Sequence, residues 1–132
     1  MGTNDEYHLK GSPVMTDTIQ TKILFPKGKI IFTEGALAEK AYIILSGHVE
    51  LTKETKTGES RTVNTLGENA IFGELALFDE NKRLVTATAV DDVECMEISE
   101  QAFQNQLKNT PTFIKGLLRL MVRSYKKELA TR

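Results

Sequence analysis

The chain predicts an α+β, mainly β domain: a small antiparallel sandwich or barrel followed by helices. Three observations predict it. Between Lys22 and Ile98, short apolar runs alternate with glycine-bearing turns. Their spacing, about 8–12 residues, suits hairpins and not parallel strands separated by crossover helices. After Ile98 the apolar period changes to that of a helix. The length of 132 residues suits one globular domain, and 40% hydrophobic with 27% charged residues suits a folded chain.

Residues 1–21 are polar and carry Gly2, Gly11, Ser12 and Pro13 without any period, so a flexible N-terminal arm is expected ahead of a domain over 22–132. From Ile23, ILFPKGKIIF forms an apolar run, a turn at Pro26–Gly28 and a second run ending at Phe32, closed by Thr33–Gly35. The next run, AYIILSGHVELTKE, has Tyr42, Ile44, Val49 and Leu51 among its apolar positions. Gly47 interrupts it, where strand logic expects a bulge, a tight turn or close backbone approach. TKTGES is a hairpin loop around Gly58, followed by RTVNTL and a second turn, LGEN. ATAVDDVECMEIS then alternates Val93, Cys95 and, after Met96, Ile98.

Ser99 is a good N-cap, Glu100 suits a first turn, and Phe103 and Leu107 share one helical face. Thr110 is expected to cap a second helix with Pro111 at its first position, where a missing N–H costs nothing. Ile114, Leu117, Leu118, Met121 and Tyr125 form a stripe along it, broadened by Phe113 and Leu120. Lys115, Arg119, Arg123, Lys126 and Lys127 make a basic margin. The stripe is expected to cover the β-core or, in the alternative, to pack on a partner subunit.

Charge and composition exclude several classes. Lys and Arg number 17 against 18 Asp and Glu, so the basic excess that neutralises phosphates is missing and nucleic acid is not an expected partner. One cysteine and two histidines leave no zinc cluster and no internal disulfide, so neither metal nor cofactor is expected. No stretch approaches the roughly 20 apolar residues of a membrane span. The N-terminus also lacks the basic start and apolar centre of a secretory signal, so a cytoplasmic protein without a membrane partner is expected. Cys95 sits in an alternating strand as core and not as nucleophile, and His48 as a surface or satisfied strand histidine. Asp91, Asp92, Glu94 and Glu97 suit a solvated face or turn; with no Gly-x-Ser-x-Gly elbow, an enzyme is not expected.

The segment IFGELALFDENKRLVTATA departs from the strand pattern. Gly73 and Glu74 open a short apolar stretch, Leu75 to Phe78, that suits one helical turn with unpaired N–H groups at its start. Arg83 follows, next to Lys82. On these residues alone two readings stand. Glu74 is a surface capping carboxylate and Arg83 a solvated turn cation, or the pair flanks a ligand with a hydroxyl to donate and a phosphate to be held.

GKIIFTEGALAEKAYIILSGHVELT followed by LGENAIFGELALFDENKRLVTATAVDDVECMEIS resembles the cyclic nucleotide-binding domain family, over about Ile23 to Tyr125. Gly28, Gly35, Gly47, Gly67 and Gly73 fall in the family's register; FGELAL matches the start of its phosphate-binding cassette, and Arg83 its cassette arginine. The resemblance implies an antiparallel double-stranded β-helix (jelly-roll) barrel with a short cassette helix and C-terminal helices. It implies that Glu74 binds a ribose 2′-hydroxyl and Arg83 a cyclic phosphate, assisted by backbone around Gly73, Leu75 and Ala76. Phe72, Leu84 and Val85 complete the implied ligand-binding set. A helix over Pro111–Tyr125 would close on the base, with Arg123, Ser124 and Tyr125 as candidates to face it. The expected ligand is a cyclic nucleoside monophosphate, cyclic AMP or cyclic GMP. The expected role is a stand-alone regulatory sensor that signals through its C-terminal helix to an effector protein or a homodimer partner.

This chain departs from the family pattern in places. After the arginine the family commonly has a small residue and then Ala; here stand Leu84 and Val85. Lys82 takes the place of a frequent proline, and Asn69 that of a turn glycine. Residues 1–21 show no amphipathic helix ahead of the first strand, and no DNA-reading element is expected with this domain, whose last residues are KKELATR. Leu84 and Val85 motivate an alternative: a barrel kept as a protein-interaction or assembly module without nucleotide binding.

Overall fold

A computed structural model describes residues 21–78 and 81–131. Among them, eight strands run in the order β1 (Thr21–Phe25), β2 (Ile30–Phe32), β3 (Lys40–Ser46), β4 (Val49–Glu54), β5 (Ser60–Leu66), β6 (Ile71–Phe72), β7 (Thr86–Ala89) and β8 (Val93–Ser99). A short helix α1 (Glu74–Phe78) separates β6 from β7, and α2 (Glu100–Lys108) and α3 (Thr112–Thr131) follow β8. The strands form two antiparallel four-stranded sheets, β1-β8-β3-β6 and β2-β7-β4-β5. Consecutive strands thus alternate between the sheets, except that β4 and β5 pair directly as a hairpin, giving the expected jelly roll. Of the expected N-terminal arm, residues 1–20 lie outside the described residues, and Thr21 opens β1.

The turns form where the sequence marks them. Gly28 adopts φ +87°, and Lys29 N–H donates to Pro26 O at 3.0 Å, closing the first turn. At Gly47 the turn and the close approach coincide: φ is +94°, and an added Cβ would fall on Asp92 O and 2.9 Å from Val93 Cα. The register also shifts between Ile44 and Ser46 where β3 pairs with β8, so the bulge is present too. Asn69 takes φ +73°, the left-handed conformation asparagine tolerates better than most residues.

The core between the sheets is built from Phe25, Tyr42, Ile44, Val49, Phe72, Ala87, Ala89, Val93 and Cys95. Phe72 and Tyr42 stack at 5.2 Å, and Phe25 meets Tyr42 edge-on at 5.7 Å. Burial pushes the Cys95 thiol up to about 11, helped by Glu94 and Glu97, which makes it a core residue and not a nucleophile. A second cluster of Ala38, Ala41, Ala76, Leu77, Ile98 and Ala102 joins α1 and α2 to the first sheet. His48 is exposed and bonds Asp91 through both its backbone N–H and its ring, while Glu94 and Glu97 pair with Lys22 and Lys40 on a solvated face.

The helix ends confirm one expectation and correct two. Ser99 caps α2, its Oγ accepting from Ala102 N–H at 3.1 Å. Thr110 does not cap α3: its hydroxyl donates back to Gln106 O at 2.8 Å, and Pro111 O accepts the first bond of α3, from Lys115 N–H. The helix therefore starts one residue later than expected. The face of α3 that packs is also rotated from the expected one. Val122 and Leu129 are buried, with Leu118 and Tyr125 half-buried, a continuous i, i+3/i+4 row. Phe113 (77% exposed), Ile114, Leu117, Leu120 (60%) and Met121 face away from the barrel. Of the described helices, none is long and apolar enough to cross a membrane.

Candidate functional site

The site is assembled where β6 gives way to α1. Phe72 pairs with Tyr42 across β3–β6, and Gly73 then turns the chain at φ +83°. Only glycine fits here: a Cβ would stand 2.7 Å from Arg83 Nη1 and 3.2 Å from Phe32 Cε2. Glu74 begins α1, so the first N–H groups of that helix have no carbonyl of its own to donate to. Glu74 is half-buried, and burial raises its carboxyl pKa against a lowering by its own backbone N–H.

After α1, hydrogen bonds return the chain to the barrel mouth. Asn81 adopts φ +57°, its N–H donates to Ala76 O at 2.8 Å, and its side-chain amide donates to Glu100 Oε2 at 2.7 Å. Arg83 N–H then donates to Ala36 O, and Gly35 N–H to Arg83 O, both at 2.8 Å. This pins the backbone at Arg83 and sends its side chain inward.

Arg83 is 5% exposed, the buried charged residue of the described chain. Its Nη1 donates to Gly73 O at 3.0 Å and its Nη2 to Lys40 O at 2.8 Å; the guanidinium carbon lies 3.9 Å over the Phe32 ring. Its Nε is buried without a hydrogen-bond partner, and no carboxylate pairs with it among the described residues. Burial pushes its pKa down, opposed by Tyr42. Carbonyls and an aromatic face thus hold a cation that no carboxylate among the described residues pairs with.

A cleft, partly open to solvent, lies beside this arginine. Phe72, Gly73, Glu74, Ala76, Arg83, Leu84 and Val85 all line it, so the structure brings these expected site residues together. Leu75 is the second residue of α1; its side chain lies outside the described residues. The opposite wall is Phe32, Leu51, Asn64, Leu66, Ile71 and Tyr125. Of these, sequence reasoning named only Tyr125 as a site candidate. Arg123 and Ser124 are not in the cleft: they line a depression on α3 with Leu120 and Lys127. Leu51 and Asn64 stand directly opposite each other in the β4–β5 register, a signal that alternation along β4 could have yielded. Asp, Glu, His and Cys side chains form no metal-holding group of three or more among the described residues.

A two-sheet jelly roll with a helical turn between β6 and β7, and a cleft beside it, defines a class of small ligand-binding barrels. Within that class, the chain belongs to the cyclic nucleotide-binding domain family, whose model matches residues 22–110. It is similar to the cyclic AMP receptor protein of Thermus thermophilus, 30% identical over 125 residues, covering 87% of this chain and 58% of that one. It also resembles the cAMP-dependent protein kinase regulatory subunit of Dictyostelium discoideum, 34% identical over 82 residues, 60% of this chain and 25% of the other. Among solved structures, the EAL enzyme Bd1971 in its cAMP-bound form superposes with a TM-score of 0.78 at 30% identity, covering 82% of this chain and 29% of that one. The chain spans about half the length of the first curated relatives it matches.

Proposed function

We propose that this domain binds a cyclic nucleoside monophosphate in the cleft and passes occupancy to another protein or a second copy through α3. The carrying observation is Arg83, a guanidinium held at the cleft with no carboxylate partner and an unpartnered Nε among the described residues. A phosphate is the anion that a fork of planar donors suits, and a charge-assisted bond of this kind contributes roughly 1.5–3 kcal/mol net. Glu74, on the same cleft, is an acceptor for a ribose hydroxyl. The first-turn N–H groups of α1 donate to the phosphate oxygens in this reading. Two kinds of name support the ligand: relatives called cyclic AMP receptor and kinase regulatory subunit, and one enzyme solved in cAMP-bound and cGMP-bound forms. The role is binding and regulation, not turnover.

Calorimetric titration of the purified chain with cyclic AMP and cyclic GMP tests this. One-site binding of either, abolished or much weakened by Arg83→Ala, supports it; no heat with either ligand at millimolar concentration overturns it.

A second reading has its own observation. Leu84 and Val85 both line the cleft, at positions where smaller side chains would leave more room for a phosphate. In this reading the barrel is an interaction module. A thermal-shift series separates the two, because a ligand at 100 times its Kd stabilises by about 2.7 kcal/mol and a non-ligand does nothing.

A further inference from the structure

Arg83 can answer a phosphate only from a fixed position, and much of what fixes it lies outside the cleft. Residues 36–40 act as the template. Ala36 O accepts from Arg83 N–H at 2.8 Å, Ala38 N–H donates to Asn81 O at 2.7 Å, and Lys40 O accepts from Arg83 Nη2 at 2.8 Å. Leu37 and Lys82 form an antiparallel bridge between the first two of these bonds. Glu39 O accepts from Glu100 N–H at 2.9 Å. The first residue of α2 is thus fixed to the carbonyl next to the one that holds the guanidinium.

The side chain of Glu100 closes the circuit. Its Oε2 accepts from the Asn81 side-chain amide at 2.7 Å, and Asn81 stands two residues ahead of Arg83. The bonds therefore run in a ring: Asn81 side chain to Glu100, Glu100 backbone to Glu39, and Ala38 backbone back to Asn81. Asn81 and Glu100 are both half-buried, where a charge-assisted bond weighs more than at the surface. One turn further along α2, Gln104 Nε2 donates to Leu77 O at 3.3 Å, and Ala102 packs with Ala76 and Leu77. Helix α2 thus holds the cassette both at α1 and at Asn81. Glu100 itself is not part of the cleft wall.

Resting on the nucleotide reading above, we propose that Glu100 is a positioning residue of the nucleotide site: through the Asn81 amide it sets where Arg83 presents its guanidinium to the phosphate. Because it acts at the phosphate end of the ligand, its effect is the same for cyclic AMP and cyclic GMP.

The test titrates the full chain and its variants with both nucleotides and follows Tm in the same samples. Glu100→Ala is expected to weaken both ligands about tenfold, the lower end of what losing a charge-assisted bond does. Glu100→Gln is expected to bind within about twofold of the native chain, because its amide oxygen accepts from Asn81 as the carboxylate does. Both variants lose the acidic charge in the first turn of α2 and lower Tm, so an affinity loss that merely tracked stability would appear in both. Asn81→Gly carries the same test without touching α2, since glycine takes φ +57° freely. It is expected to lose about tenfold, and adding Glu100→Ala to it costs nothing further. Full affinity in Glu100→Ala overturns the role of Glu100 while leaving the nucleotide site standing. So does Glu100→Gln binding as weakly as Glu100→Ala, additive losses in the double variant, or a loss confined to one nucleotide. Failure of the native chain to bind either nucleotide overturns the nucleotide reading and this one together.

Discussion

The cassette and α3 both border the cleft, yet the fold treats them in opposite ways. From Gly73 to Arg83 the described chain is tied down repeatedly: Asn81 bonds Ala76 and Glu100, Ala38 N–H bonds Asn81 O, Gln104 reaches Leu77 O, and Arg83 is held by four bonds of its backbone and side chain. Among the described residues of α3, Val122 and Leu129 are buried and Leu118 and Tyr125 half-buried, while Phe113, Ile114, Leu117, Leu120 and Met121 are exposed. A region with many buried polar bonds is preorganised, while α3 meets the barrel along one row of side chains, Leu118, Val122, Tyr125 and Leu129. In the proposed function, binding energy gathered at the cassette acts on α3 beside it. Tyr125 is where the two meet, since it is an α3 residue in the cleft wall.

That contrast breaks most sharply at Arg83. Arg83→Ala is expected to weaken cyclic nucleotide binding by about 2–5 kcal/mol, the cost of leaving a buried phosphate without its cation, as read by titration calorimetry. The next largest effect separates the two faces of α3. Leu129→Ala, at a site 4% exposed, should lower unfolding free energy by about 2 kcal/mol, whereas Leu120→Ala should change it by no more than about 0.5 kcal/mol in chemical denaturation. Equal effects would mean that the outer face is covered in solution. Smaller still, Leu84→Ser with Val85→Ala should tighten nucleotide binding by about 1–3 kcal/mol, by relieving crowding and adding a hydroxyl.

The smallest effect is the pH response of Glu74. Its folded pKa is raised above 4.5, first by burial, so the folded state holds this proton more tightly than the unfolded chain. Its contribution to stability is present below the unfolded pKa and is lost as pH rises through the raised value. Ligand binding runs the other way, because a ribose hydroxyl donates to the ionised form. Acidification from neutral pH should weaken binding as Glu74 takes up its proton, and Glu74→Gln should flatten that profile.

Local chemistry made much of the fold legible. Gly47 and Gly73 mark positive φ with no room for a Cβ, Asn69 stands in for a turn glycine, and Ser99 caps as its side chain predicts. One wall of the cleft was legible for the same reason, because Phe72 to Val85 is nearly contiguous. The far wall was not: Phe32, Leu51, Asn64, Leu66 and Ile71 come from four strands, and strand register brings them together. A bulge between Leu51 and Thr52 sets that register on β5, and no residue there announces it. Helix α3 misled because it carries two apolar rows, one through Ile114, Leu117 and Met121, the other through Leu118, Val122, Tyr125 and Leu129. Periodicity finds both; tertiary packing chooses between them. At Thr110, capping lost to a bond back to the preceding helix, a competition that threonine hydroxyls often enter.

The most direct test of the account is the position of the phosphate in a crystal structure of the domain soaked with cyclic GMP. The account predicts the cyclic phosphate within hydrogen-bond distance of the Arg83 guanidinium and the ribose 2′-hydroxyl on Glu74. A nucleotide bound elsewhere, with Arg83 still donating only to Gly73 O and Lys40 O, would contradict it.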